Sequence, residues 1–117
     1  MVVMSECLFC RLAAGEVPAR VLLADEEVLV FHDLAPQAPT HLLVIPRRHI
    51  ASLDAARADD VTLLGRLLLT AAEAARRVGL VGEGYRVVNN CGAGAGQSVF
   101  HVHLHVLGGR PFGWPPG

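Results

Sequence analysis

A chain of 117 residues that is 52% hydrophobic and 18% charged is sized for one domain with a real core and too apolar to stay disordered. Its net charge of −1, with six histidines taken as neutral, gives no electrostatic pull toward nucleic acid or a membrane surface. The opening MVVMSEC is too short for a signal-peptide core and no run of about 18 apolar residues suggests a membrane span, so a cytoplasmic protein is expected.

Taken in chain order, Ser5 is placed to cap a short helix over Cys7–Ala14, with Gly15 as its stop. RVLLADEEVLVFHD predicts two strands joined by a turn at Asp25–Glu26. LAPQAP is a rigid loop, because its prolines bar both helix and central strand. THLLVIP predicts a third strand. A long helix is expected over Ala58–Val78, ended by Gly79. Val61, Leu64, Leu68, Ala71, Ala75 and Val78 recur at steps of three and four and predict its buried stripe. Leu63, Leu67 and Ala74 form a second apolar stripe, which predicts either a wider core contact or, as the sharper expectation, a dimer interface. GYRVVNN and VFHVHLHVL complete the sheet. The fold class is therefore α+β: an antiparallel sheet of about five strands with one long and one short helix.

Chemistry concentrates in His101-Val102-His103-Leu104-His105. In a strand, residues at i, i+2 and i+4 share a face, so the three imidazoles line up and Val102, Leu104 and Val106 point into the core. Neighbouring histidines are then roughly 6.6 Å apart and the outer two about 13 Å, from the rise per residue. Bonds of about 2 Å from one metal to nitrogen do not span all three, so the histidines divide their labour. Cys7 and Cys10 sit at zinc-ligand spacing, and His32, His41, His49 and His101 are all candidates to complete a closed four-ligand site. The glycine-rich run from Gly92 to Gly96, with Gln97 and Ser98, leads straight into the histidines. Glycines let main-chain N–H groups approach an anion, and a neutral imidazole is a competent nucleophile toward phosphorus.

QSVFHVHLHVLGG with its terminal WPPG, together with FHDLAPQAPTHLLVIPRRHI and GYRVVNN, closely resembles the histidine triad (HIT) family, and within it the Hint branch of nucleoside phosphoramidases. The similarity runs from about Cys7 to Gly117. It implies that His103 is the nucleophile, forming a covalent nucleotidyl-imidazole that water hydrolyses. His105 would then bond the phosphate and His41 complete the relay. Ser98 and Gln97 would contact phosphate and leaving group, Asn90 the phosphate end of the site, and Asp33 the ribose hydroxyls. Leu8, Phe9, Leu12, Phe31 and Leu34 would line the base pocket, and Trp114 would reach toward a partner subunit's site. His49 and His101 fall where zinc-binding relatives place ligands, and with Cys7 and Cys10 they make a structural zinc site. That cysteine pair departs from animal Hint proteins and implies a zinc-bearing bacterial type. The expected reaction is cleavage of a purine nucleoside 5′-phosphoramidate, of AMP or GMP, by a homodimer.

Three rivals stand beside this expectation. One is a dinucleoside polyphosphate hydrolase of the related Fhit branch, against which the WPPG tail argues. Another is a nucleotide-binding regulatory module whose catalysis is incidental. The third makes the histidine run itself a catalytic zinc site, with His103 as a ligand.

Overall fold

The computed structural model describes residues 6–117, so the capping role expected of Ser5 lies outside the described residues. The first helix, α1, runs over Leu8–Ala13; Cys7 is its N-cap, its Sγ accepting the Cys10 N–H at 3.4 Å. Gly15 follows with φ of 77°, a conformation that suits glycine just past a helix end.

Two strands come next, β1 over Val21–Ala24 and β2 over Val28–His32. Asp25 makes the turn between them, its Oδ1 accepting the N–H groups of Glu27 and Val28, each at 2.8 Å. β3 spans Thr40–Pro46, β4 spans Tyr85–Val88 and β5 spans Leu104–Gly108. All pairs are antiparallel in the order β1-β2-β3-β5-β4.

Both faces of the central strands are covered, which explains why LVF and HLLVIP read as continuous apolar runs rather than alternations. Val28, Val30, Leu42, Val44 and Val106 pack on one side with the long helix α2, Val61–Arg77. On the other, Leu29, Phe31, Leu43 and Ile45 pack with Cys7 and Phe9 of the first turn.

Two expectations need correction. The buried residues of α2 are Leu63, Leu67, Ala71, Ala74 and Ala75, whereas Val61 is 67% and Leu68 57% exposed. The stripe that starts at Leu63 faces the sheet. The helix is apolar over too much of its circumference for periodicity to set its phase. The histidine strand is also shorter than expected, because the ladder to β3 and β4 begins only at Leu104 and His105. His101 and His103 lie in the segment leading into it.

Candidate active site

The alternation survives beyond the ladder. Val102, Leu104 and Val106 enter the core under α2, while His101 and His103 are buried on the opposite face beside Phe9. His103 and His105 have ring centroids 5.0 Å apart, and His105 lies 5.1 Å from His41. His105 pairs with Leu43 in the sheet and His41 is two residues before Leu43, so the two imidazoles are diagonal neighbours across β3 and β5.

Hydrogen bonds fix where each proton sits. The Gln37 main-chain N–H donates to His41 Nδ1 at 3.0 Å, so His41 carries its proton on Nε2. That N–H donates to His105 Nδ1 at 2.8 Å, with the Asp33 carboxylate a secondary neighbour at 3.4 Å. His105 therefore has its own proton on Nε2. His103 Nδ1 lies 2.7 Å from the His101 carbonyl oxygen, which only accepts, so Nδ1 is the protonated nitrogen of His103 and Nε2 keeps a bare lone pair. Burial holds His105 down to about 4, with His103 and His41 adding to the effect and Asp33 opposing it. His41 is also lowered by burial, against the pull of Asp33. Burial thus favours the neutral imidazole at both His41 and His105.

This set opens on a cavity of about 280 Å³, close to the lower end of small-molecule sites. His103, His105, Asp33 and Ser98 line it, and so do all five expected apolar residues, Leu8, Phe9, Leu12, Phe31 and Leu34. Leu34 is 94% exposed and forms the rim. Val17, Pro18 and Ala19 also contribute, and so does His32, a candidate metal ligand in the sequence that stands at this cavity and not in the Cys7–Cys10 cluster. No periodic signal marks residues 17–19, which follow the end of α1.

The glycine-rich loop is built differently from the expected anion cradle. Gly92 and Gly96 adopt φ of 91° and 96°, around a short 3₁₀ turn at Ala93–Ala95. The N–H groups of Ala95, Gly96 and Gln97 donate to Gly92 or Ala93 carbonyls, and Gly92 donates to Gln97 Oε1 at 2.8 Å. Gln97 is 4% exposed, and its Nε2 donates to the carbonyls of Ala51 and Val99. Its side chain closes the loop on itself and sets Ser98 at the cavity. Gln97, Asn90 and the 85% exposed Trp114 do not line the cavity. Within the tail, the Gly113 carbonyl accepts from Arg86, and the guanidinium groups of Arg86 and Arg110 both stack on the Phe112 ring.

Cys7, Cys10, His49 and His101 converge separately. Cys10 Sγ is 3.3 Å from His49 Nδ1 and 3.5 Å from His101 Nδ1, Cys7 Sγ is 3.4 Å from His101 Nδ1, and the two Nδ1 atoms are 3.2 Å apart. Tetrahedral zinc with bonds of about 2.0–2.3 Å needs ligand atoms about 3.3–3.8 Å from one another. His101 Nε2 donates to the Pro46 carbonyl at 2.7 Å, which leaves Nδ1 as a lone pair aimed at the thiols. Burial and the neighbouring Cys7 push the Cys10 thiol up to about 11. Two thiols and two imidazoles at these spacings are a donor set compatible with zinc.

The HIT domain family matches residues 14–112. A HIT-like protein of Synechocystis is 48% identical over 112 residues, covering 96% of this chain and 97% of its own length. The crystal structure of a HIT family hydrolase from Legionella pneumophila superposes with a TM-score of 0.93 at 51% identity, over 95% of this chain and 99% of that one. A zinc-bound histidine triad family protein from Mycobacterium smegmatis superposes at 0.77 and 32% identity, over 98% of this chain and 82% of that one. With the histidine cluster, the sheet order and the family match all in agreement, the chain belongs to the histidine triad family.

Proposed function

We propose that the protein is a nucleotide hydrolase that cleaves purine nucleoside 5′-phosphoramidates to the nucleoside monophosphate and an amine. The observation that carries the reading is the bare Nε2 of His103, held in that tautomer by the His101 carbonyl and set at the cavity wall. Nε2 attacks phosphorus, a P–N bond to imidazole forms and the P–N bond to the amine breaks. The amine leaves with a proton from solvent, relayed by the Ser98 hydroxyl. Water then attacks phosphorus, the imidazole is expelled and the water's proton leaves by the same hydroxyl. His105 Nε2–H donates to a phosphate oxygen throughout, its tautomer set by His41 and Gln37. Asp33 accepts from the ribose, and the apolar wall holds the base. Adenosine 5′-phosphoramidate turnover by the wild type and by His103→Ala tests this. Release of AMP that the variant loses supports it, and an inert wild type or an unimpaired variant sinks it.

Zinc in the Cys7, Cys10, His49 and His101 site has a structural role in this reading. Four protein ligands leave no position for substrate, and the metal ties α1 to the segment carrying the nucleophile. We also infer a homodimer. Val61, Leu68 and Leu69 are 67%, 57% and 73% exposed on α2, and β4 is an edge strand of the sheet. Sedimentation equilibrium should show a dimer that Leu68→Glu converts to monomer; a wild-type monomer at micromolar concentration rejects it.

A further inference from the structure

The segment that carries the nucleophile lacks the support a strand would give it. Pairing of β5 with β4 ends at His105 opposite Val88, and pairing with β3 ends at Leu104 opposite Val44. His103 lies one residue outside the ladder to β3 and two outside the ladder to β4, yet its ring must be aimed at phosphorus. Its ring is fixed to the main chain through the His101 carbonyl, so any movement of the local peptides moves the attacking nitrogen. On one side, the Val102 N–H donates to the Ile50 carbonyl at 2.6 Å. On the other side stands Asn89, the residue just after β4.

Asn89 Nδ2 donates to the His103 main-chain carbonyl at 2.9 Å. The orientation is not arbitrary, because a carbonyl oxygen only accepts and a flipped amide would set oxygen against oxygen. The cost of this arrangement is visible at the other end of the amide. Asn89 Oδ1 is buried with no hydrogen-bond partner among the described residues. Asn89 borders an apolar groove lined by Leu53, Leu64, Leu68 and Val102, on the α2 side of the sheet. A buried acceptor without a donor is unfavourable, so packing alone would be better served there by an apolar side chain of similar size.

We propose that Asn89 is a positioning residue for the reaction, a side-chain substitute for the missing ladder bond that fixes the His103 peptide and thereby the line of attack of Nε2. It touches neither substrate nor the reacting atoms; it acts through the main chain of the nucleophile, from the far side of the sheet. The inference rests on the reading of His103 as the nucleophile.

The test compares adenosine 5′-phosphoramidate hydrolysis by the wild type, Asn89→Leu, Asn89→Asp and His103→Ala, with thermal midpoints measured on each. Asn89→Leu keeps the branch at Cγ and removes both the donor and the orphan acceptor. Asn89→Asp keeps the shape and replaces the donor by an acceptor. Small misplacements of a reacting group cost large rate factors, so kcat should fall tenfold or more in both, with KM within about twofold of wild type. The thermal midpoint of Asn89→Leu should stay level or rise as its activity falls, an opposition that a merely structural role does not produce. The ratio of Asn89→Asp to wild-type kcat should recover as pH falls and the carboxyl, once protonated, donates again. A kcat within about twofold of wild type in both variants overturns the inference while leaving the nucleophile intact. So does a parallel loss of kcat, KM and stability, or failure of both variants to fold. If His103→Ala is unimpaired, or the wild type is inert, the reading of the reaction fails and takes this inference with it.

Discussion

Two groups of histidines share one face of the sheet, and their partners give them opposite properties. In the group of His49 and His101, the two Nδ1 atoms lie 3.2 Å apart and converge on the Cys7 and Cys10 sulfurs, whose thiol protons a bound cation would displace. In the group of His41, His103 and His105, every ring nitrogen that contacts a neighbour has a defined role as donor or acceptor, in a chain running from the Gln37 N–H through His41 to His105. Converging lone pairs describe a cation site; an ordered chain of donors describes a surface for a phosphate. Residue type and the face presented are the same for His101 and His103, both in the segment leading into β5. The difference lies in what stands next to each, a pair of thiols in one case and the cavity of about 280 Å³ in the other.

The sharpest way to break this comparison is to remove one imidazole from each group. His103→Ala should lower turnover by about 10³-fold or more, as loss of a covalent nucleophile does, and leave the thermal midpoint near wild type. His101→Ala should do the reverse. The contact that sets the His103 tautomer is the main-chain carbonyl of residue 101, which alanine retains. Turnover per folded molecule should therefore persist in the cold while bound zinc and stability are lost. Similar activity losses in both variants would show that the two groups are not separable.

Much of this division was legible in the sequence. Cys7, Cys10, the THLLVIP strand and the alternation of Val102, Leu104 and Val106 with the histidines are local patterns, and local patterns survive folding. The phase of α2 was not legible, since Leu63, Leu64, Leu67 and Leu68 offer two apolar stripes and only the sheet selects one. Nor was the inward turn of Gln97, because a glutamine in a glycine loop reads as a free donor until Ala51, 46 residues away, takes its amide. Asn89 and Asn90 are identical letters side by side. That Asn89 is the one that holds His103 depends on where β4 ends, a boundary no pattern marks.

The metal group can be tested by taking away its metal or one of its ligands. Removing zinc with a strong chelator, or replacing one ligand by Cys10→Ser, should destabilise the fold by about 3 kcal/mol or more, since the energy of binding such a site is folding energy. For a chain of this size that is a fall of roughly 10 °C or more in the thermal midpoint, read by calorimetry. Zinc content by atomic emission should fall from one per chain to near zero. A midpoint indifferent to chelator would remove the structural role assigned to the group.

In the relay, Asp33 has two contacts of its own, Oδ1 accepting the Ala35 N–H at 2.8 Å and Oδ2 facing His41. Asp33→Asn keeps the shape and removes the charge. Losing a charged acceptor for the ribose costs about 1.5 kcal/mol, or tenfold in KM, with kcat much less affected. A KM unchanged by the substitution would place the sugar elsewhere.

The smallest expected effect is on the pH dependence of stability, and it separates the relay from an ordinary set of surface histidines. His105 is lowered from 6.5 to about 4, chiefly by burial, so between those values the unfolded chain binds a proton that the folded chain refuses. Its contribution is complete above pH 6.5 and is lost as the pH falls toward 4. His41 acts in the same direction. The metal group has its own pH dependence, because its ligands must be deprotonated to bind. Denaturant midpoints should therefore be compared between wild type and His105→Asn under the same zinc-saturated conditions, from pH 7 down to pH 5. The wild type should lose stability more steeply than the variant, which has no imidazole at 105 to titrate. Asp33→Asn should be steeper than wild type, since the Asp33 carboxylate is what raises His41 and His105. Parallel curves for all three proteins would mean that these imidazoles titrate as freely folded as unfolded, and that the ordered donor chain does not hold them neutral.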